Sequence, residues 1–244
     1  MPSYFTFTFR LRPWEYCLHL NFDRRELAPG FGAVCVRDHL WISCRGETEQ
    51  YEVARAIALH LARTLIHSHA YCSYPGGTLL DVEPLIWSEL KDSEVRETVF
   101  GYMHPSLETA QFQPGHPDNT PMLLAADVAR GIHGSPSLWF ALADFHVARR
   151  EPVPYYAFYA YRVLEDVGFM FGTVDDHPDW DVMNAAFKTK KEHWDLLIDA
   201  GTRARHLNEQ KLRELAAMDS QELLNLSHKA LTLVLEQRGV IPKR

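Results

Sequence analysis

Tyr155-Tyr156-Ala157-Phe158-Tyr159-Ala160-Tyr161-Arg162-Val163-Leu164-Glu165-Asp166-Val167-Gly168-Phe169-Met170-Phe171 is the stretch on which the fold turns. Its only charges are Arg162, Glu165 and Asp166, spaced i, i+3 and i+4. A helix here gathers them on one face, where a carboxylate can compensate a desolvated arginine. The rest of the circumference is apolar, which predicts a central helix covered on most sides. The charged face has two readings. It is an internal ion pair that orients a core helix, or it turns Arg162 or Glu165 toward a cleft.

Outward from this stretch, the C-terminal part continues as helices. Residues 179–200 carry Phe187, Lys190 or Lys191, Trp194, Leu197 and Ile198 at three- and four-residue spacing. Asp179 after Pro178 suits an N-cap, Trp194 the main anchor, and Gly201 a left-handed C-terminal cap. A shorter helix through Lys211, Leu212, Leu215 and Ala216 follows Asn208. A last helix starts at Asp219 with Glu222 in capping-box spacing, runs through Leu223, Leu226, Ala230, Leu231 and Val234, and stops at Arg238, Gly239 and Pro242. On this reading Arg203, Arg205 and His206 fall on the turn just past the Trp194 helix. Cations there are favoured by the unsatisfied carbonyls of a helix C-terminus, a structural role. Two guanidinium groups beside an imidazole also suit phosphate binding, with arginine supplying forked donors and histidine a proton acceptor near neutral pH.

Tyr159-Ala160-Tyr161-Arg162-Val163-Leu164-Glu165, then Trp194 with Leu197, then Ala204-Arg205-His206 and a closing leucine-rich helix, resemble the C-terminal region of the methylamine utilisation protein MauJ family. That region is similar to HEPN-type helical bundles. The resemblance covers roughly the last 90 residues and implies a bundle that dimerises or meets a protein partner. In ribonuclease-active HEPN proteins an arginine stands four to six residues before a histidine, across a dimer interface. Here Arg203 and His206 are separated by two residues, and Arg205 directly precedes His206. The active spacing occurs instead at Arg55 with His60 and Arg63 with His69, in the other half of the chain.

The N-terminal half opens as a sheet. Phe5, Phe7, Phe9 and Leu11 alternate with Thr6, Thr8, Arg10 and Arg12, the pattern of a half-buried strand. A second strand is read over 17–22, with His19 on its polar side. Beyond Pro29-Gly30-Phe31-Gly32, residues 33–36 and 40–44 form a hairpin through Arg37-Asp38-His39. Residues 47–69 are alanine-rich, with Val53, Ile57, Leu61 and Leu65 at four-residue steps, and predict a long helix across the sheet. His60 and His67 are about 10.5 Å apart along such a helix, too far for one metal ion. Tyr74-Pro75-Gly76-Gly77 is a loop without phosphate-loop spacing. A short helix is expected over 84–90 and a strand over 95–103. The proline-rich run 104–121 is the best linker and sets the division into 1–120 and 121–244. Past it, 121–130 and 137–149 are helical, and Glu151-Pro152-Val153-Pro154 delivers the chain into the Tyr155 helix.

With 46% hydrophobic and 12% aromatic residues the chain builds its own core. A net charge of −7 argues against nucleic-acid or anionic-membrane binding driven by global charge, leaving a local basic site at Arg203, Arg205, Lys188, Lys190 and Lys191. Cys17, Cys35, Cys44 and Cys72 form no C-x-x-C pair and read as reduced thiols, in the core or semi-buried. No signal peptide or membrane-spanning run is seen, and the expected location is cytoplasmic. No cofactor-binding or metal motif is present. The expected fold is α+β: an N-terminal antiparallel sheet with one long helix, then a C-terminal helical bundle. The preferred function is a non-catalytic accessory or interaction protein acting through the bundle, as a homo-oligomer or with a protein partner. The alternative is a HEPN-type ribonuclease or RNA-binding protein in which Arg203 or Arg205 holds phosphate, His206 is general base, and Arg162 or Glu165 orients them. A hydrolase using His104, His116 or His133 finds no supporting motif.

Overall fold

Alternation of large apolar and small polar residues sets the first strand, β1 (Ser3–Arg12), and the computed structural model describes it with residues 3–13, 17, 20–91, 94–99, 120–172 and 177–243. Five further strands, β2 (Asn21–Ala28), β3 (Phe31–Val36), β4 (His39–Gly46), β5 (Asp81–Lys91) and β6 (Glu94–Val99), complete an antiparallel sheet of order β2-β3-β4-β1-β5-β6. The β1 register pairs Phe5 with Cys44, Phe7 with Ile42 and Phe9 with Leu40. Side chains paired in this way share a face, and Phe5, Phe7, Phe9 and Leu11 are fully buried there. Burying each of these rings contributes roughly 2–3 kcal/mol.

Helix α1 (Tyr51–Cys72) covers that face, meeting β1, β4 and β5. Its sheet-facing stripe is Ala54, Ala58, Leu61, Ala62 and Leu65, all buried, whereas Val53 is 61% exposed. The four-residue steps expected from Val53 therefore drift off the buried face, because a helical turn is 3.6 residues and not four. The small residues of α1 admit a second helix, α2 (Thr120–Gly131), which packs on α1 and β2 and adds Met122, Ala125, Ala126 and Ala129 to the same core.

Here the described fold departs from the sequence expectation in several places. The compact units divide between His133 and Gly134, so α2 belongs with the sheet and the division is not at 120. Apart from Thr120 and Pro121, the expected linker 104–121 lies outside the described residues. Residues 84–90 are not a helix but the middle of β5, with Leu85 and Trp87 buried. Pro84 is accommodated because the register with β1 shifts between Thr8 and Phe9, relaxing the need for a ladder N–H. The strand expected over 17–22 begins at Asn21, and His19 lies outside the described residues. The strand expected over 95–103 is β6 up to Val99, with the remainder outside them.

The second unit is helical: α3 (Pro136–Ala148), α4 (Tyr155–Phe169), α5 (Trp180–Phe187), a 3-10 turn (Lys191–His193), α6 (Asp195–Arg205), α7 (Glu209–Ala216) and α8 (Ser220–Gln237). Helix α4 is central, as its composition predicts, and packs against α3, α6 and α8. Ala157, Ala160, Val163, Leu164 and Val167 are fully buried on it. The hydroxyl of Ser227 on α8 lies 3.0 Å from the Ala160 carbonyl, tying the two helices. The expected caps form at Asp179, which accepts from the Val182 N–H at 2.9 Å, and at Asp219, which accepts from Gln221 at 2.8 Å; Asn208 caps α7 as well, accepting from Lys211 at 2.9 Å.

The single helix expected over 179–200 is two helices. Lys188 takes a left-handed conformation (φ 54°, ψ 37°) that ends α5. The Asn184 side-chain carbonyl then accepts from Thr189 Oγ1 at 2.8 Å and Trp194 Nε1 at 2.9 Å, fixing the turn. Gly201 is not a cap. It lies inside α6, where a Cβ would stand 2.2 Å from Tyr161 Cγ. It is the point at which α6 and α4 come closest without a side chain between them.

Candidate functional site

Because Gly201 brings the α6 backbone onto Tyr161, the last turn of α6 runs beside the charged face of α4. Arg203 and Arg205 lie in this last turn, and His206 is the C-cap residue, so all three belong to the helix end and not to a turn beyond it. Arg205 donates to Glu165 of α4, and its guanidinium carbon sits 4.7 Å from the centre of the Tyr161 ring. Hydrogen bond and cation–π contact together hold the fork flat against α4. Burial, and then the Glu165 charge and hydrogen bond, push the Tyr161 phenol up to about 12, so it stays protonated beside them.

Arg203 points the other way round the helix. Its Nε donates to Asp199 at 2.8 Å, and its Nη1 donates to Glu214 of α7. It thus ties α6 to α7. His206 is exposed. The three basic residues therefore do not converge: one guanidinium faces α4, the other α7, and each is engaged with carboxylate.

Arg162 does not pair within α4 as the i, i+3, i+4 spacing suggests. It reaches across to α3, where its Nε donates to Asp144 Oδ2 at 2.7 Å, and it lies 6.0 Å from the Phe158 ring centre. Glu165 is taken by Arg205, and Asp166 feels the negative charge of Asp144. The internal ion pair expected along one helix is instead two ties between helices. Burial, partly offset by Arg162, raises the Asp144 carboxyl above its ordinary value. Burial and then the Asp144 charge push Asp166 up to about 7. Sequence reasoning had no reason to single out Asp144; the available signal was one acid inside the otherwise apolar α3.

Residues along this side of α4 also leave aromatic surface open. Tyr155 is 57% exposed and Phe169 41%, with Phe158 and Tyr159 half-buried between them. In the first unit, His60 is exposed and His69 buried, so the Arg55/His60 and Arg63/His69 spacings are not paired in one open site. Arg55 instead lies 4.7 Å over the Trp87 ring and pairs with Glu52. His133 is exposed, while His104 and His116 lie outside the described residues.

Among the described residues no group of three or more His, Cys, Asp or Glu is arranged to hold a metal ion. Nor is any helix there long and apolar enough to cross a membrane. No family model matches the chain, and no curated protein or solved structure matches it.

Proposed function

We propose that this is a non-catalytic accessory or interaction protein of the MauJ-like group, located in the cytoplasm, whose helical unit is a HEPN-like bundle that pairs with a second copy. The observation that carries the reading is the engagement of both α6 arginines. Arg203 is held by Asp199 and Glu214, and Arg205 by Glu165 and the Tyr161 ring. Freeing either for a phosphate would leave carboxylates of neighbouring helices unpaired. A nuclease needs donors aimed at the developing charge and a base within hydrogen-bond reach of the attacking hydroxyl. Here the guanidinium groups serve to join α6 to α4 and α7. The open row Tyr155, Phe158, Tyr159 and Phe169 supplies the aromatic contact area that protein interfaces favour.

The test is sedimentation of the wild-type chain beside a Tyr155→Glu, Phe169→Glu variant, with both proteins also incubated with mixed single-stranded RNA. The wild type is expected to sediment as a dimer, the variant as a monomer with unchanged circular dichroism, and neither to shorten the RNA. A monomeric wild type would overturn the pairing. RNA cleavage by the wild type that is lost in Arg205→Ala, His206→Ala, with the fold intact, would overturn the non-catalytic reading in favour of the ribonuclease.

A further inference from the structure

The sheet face turned away from α1 is built in bands, because residues paired across antiparallel strands share a face. At one end the register sets Arg45, Tyr4, Leu90 and Val95 in a row across β4, β1, β5 and β6. Tyr4 is 54% exposed, Leu90 44% and Val95 60%, so this row is an open apolar ridge. Two residues along, the row is Gly32, Ser43, Thr6 and Ser88, all small. Two further, it is Val34, Trp41, Thr8 and Ile86. A trough of small residues therefore crosses β3, β4, β1 and β5 between two taller ridges. The ridges stand four residues apart, roughly 14 Å, and the floor crosses three strand spacings, again roughly 14 Å.

Each wall carries a ring held in place. Trp41 stacks on His39, two residues back on β4, with ring centres 5.6 Å and planes 22° apart. Asp38 in turn lies 2.8 Å from His39 Nδ1. The opposite face of the half-buried indole thus looks along the strand toward Ser43. On the other wall the Arg45 guanidinium carbon lies 5.6 Å from the Tyr4 ring centre. Between them the floor offers the Ser43 and Thr6 hydroxyls, while Ser88 Oγ is spent on the Thr6 carbonyl at 3.3 Å.

Charge selects what the trough takes. Arg24 of β2 lies over the floor, since a Cβ on Gly32 would stand 3.2 Å from its Nε. Arg45 stands two residues beyond Ser43 on the same face. Both are exposed, and among the described residues neither is paired with a carboxylate, unlike Arg10 with Asp38 and Arg12 with Glu83. The nearest acid of β2, Glu26, accepts from the Gly30 N–H at 3.2 Å, and Glu97 lies at the far end, opposite Ser88. The β3–β4 end of the trough is therefore positive. A neutral occupant would leave both guanidinium groups idle, whereas a chain that alternates anionic groups with flat rings uses the arginines and the indole together.

The geometry points to a binding site for single-stranded nucleic acid on this face, with phosphate at Arg24 and Arg45, a base on Trp41 and sugar oxygens at Ser43 and Thr6. The site is local, in keeping with a net charge of −7. It owes nothing to Arg203, Arg205 or His206 and requires no cleavage, so it stands apart from the pairing of the helical unit.

The test is fluorescence anisotropy of a short labelled single-stranded RNA with the full chain in rising salt. The wild type is expected to bind saturably with a log–log salt slope of about −1.4, two phosphate contacts at about 0.7 each. Arg24→Ala and Arg45→Ala should each roughly halve that slope. Trp41→Ala should weaken binding about 5- to 150-fold, the usual effect of losing one stacked base, and leave the slope unchanged. Ser43→Glu, at an exposed position that tolerates it, places a carboxylate on the floor and should abolish binding with circular dichroism unaltered. Arg205→Ala, His206→Ala should bind as the wild type does. No saturable binding by the wild type, or full binding by Ser43→Glu, would overturn the site. Competition by inorganic polyphosphate as strong as by unlabelled RNA would also overturn it, reducing the trough to an anion patch without base recognition.

Discussion

Gly201→Ala is expected to destabilise the helical unit by roughly 1–3 kcal/mol, the usual range for overpacking a closely fitted contact, although the same change inside an isolated helix would stabilise it by about 1 kcal/mol. The reversal of sign comes from one contact. A Cβ at this position would lie 2.2 Å from Tyr161 Cγ, 2.5 Å from Cδ1 and 2.6 Å from Cβ. Tyr161 is poorly able to retreat, since it is buried and its ring carries Arg205, itself bonded to Glu165, on one face. Accommodating even one methyl group therefore means moving α6 away from α4, and the Arg205 to Glu165 tie with it. Hydrogen exchange at the amides of α4 and α6 in rising urea reads this separately from the sheet. Tyr161→Ala removes the ring but keeps the Cβ, so relief in the double variant is expected to be partial, with a loss smaller than the sum of the two single losses. An increase in protection for Gly201→Ala would mean that α6 does not approach α4 at this residue.

That prediction could not have been drawn from the sequence, and the reason is instructive. A glycine after a run of apolar helical spacing has two physical explanations, a left-handed cap or a close approach of backbone to a neighbour, and spacing alone does not separate them. Here the cap belongs to Lys188, a residue with no preference for the left-handed region that would mark it in advance. What was legible rests on periodicity. The two-residue period of Phe5 to Leu11 names the buried face of β1, and the apolar circumference around Ala160 names α4 as central. Asp179 and Asp219 declare themselves as caps because their side chains bond to N–H groups two or three residues on, a purely local event. The charged cluster is the opposite case. Arg162, Glu165 and Asp166 have the spacing of an intrahelical network, yet Arg162 and Glu165 each find their partner on another helix. Which helix faces which is a tertiary fact, so the pairing stays hidden until α3 and α6 are in place. The same holds for α2, whose alanines fit a helical bundle as well as they fit the alanine-rich α1.

Trp194→Ala is expected to cost roughly 3–5 kcal/mol, the range for truncating a large buried aromatic side chain. Trp194 is 1% exposed, among the largest fully buried side chains described, and stands at the junction between the 3-10 turn and α6. Two contributions add. The indole leaves a cavity that the turn, held by its own hydrogen bonds, can only partly close. Its Nε1–H also donates to Asn184 Oδ1 at 2.9 Å. The second part is the smaller, because Asn184 Oδ1 still accepts from Thr189 Oγ1 at 2.8 Å and is not left bare. Trp194→Phe separates the two: it keeps most of the volume, loses the donor, and is expected to cost about 1–2 kcal/mol, near the net worth of one hydrogen bond with a modest packing defect. Chemical denaturation of the three proteins ranks them. If Phe costs as much as Ala, the hydrogen bond to Asn184 and not the packed volume holds α5 to α6. If Ala costs under about 1 kcal/mol, a magnitude typical of exposed positions, the indole is not buried at this junction. The ordering wild type, Phe, Ala with the larger step last would place the join between α5 and α6 on the packed ring, which is where the sequence put the anchor while missing the break beside it.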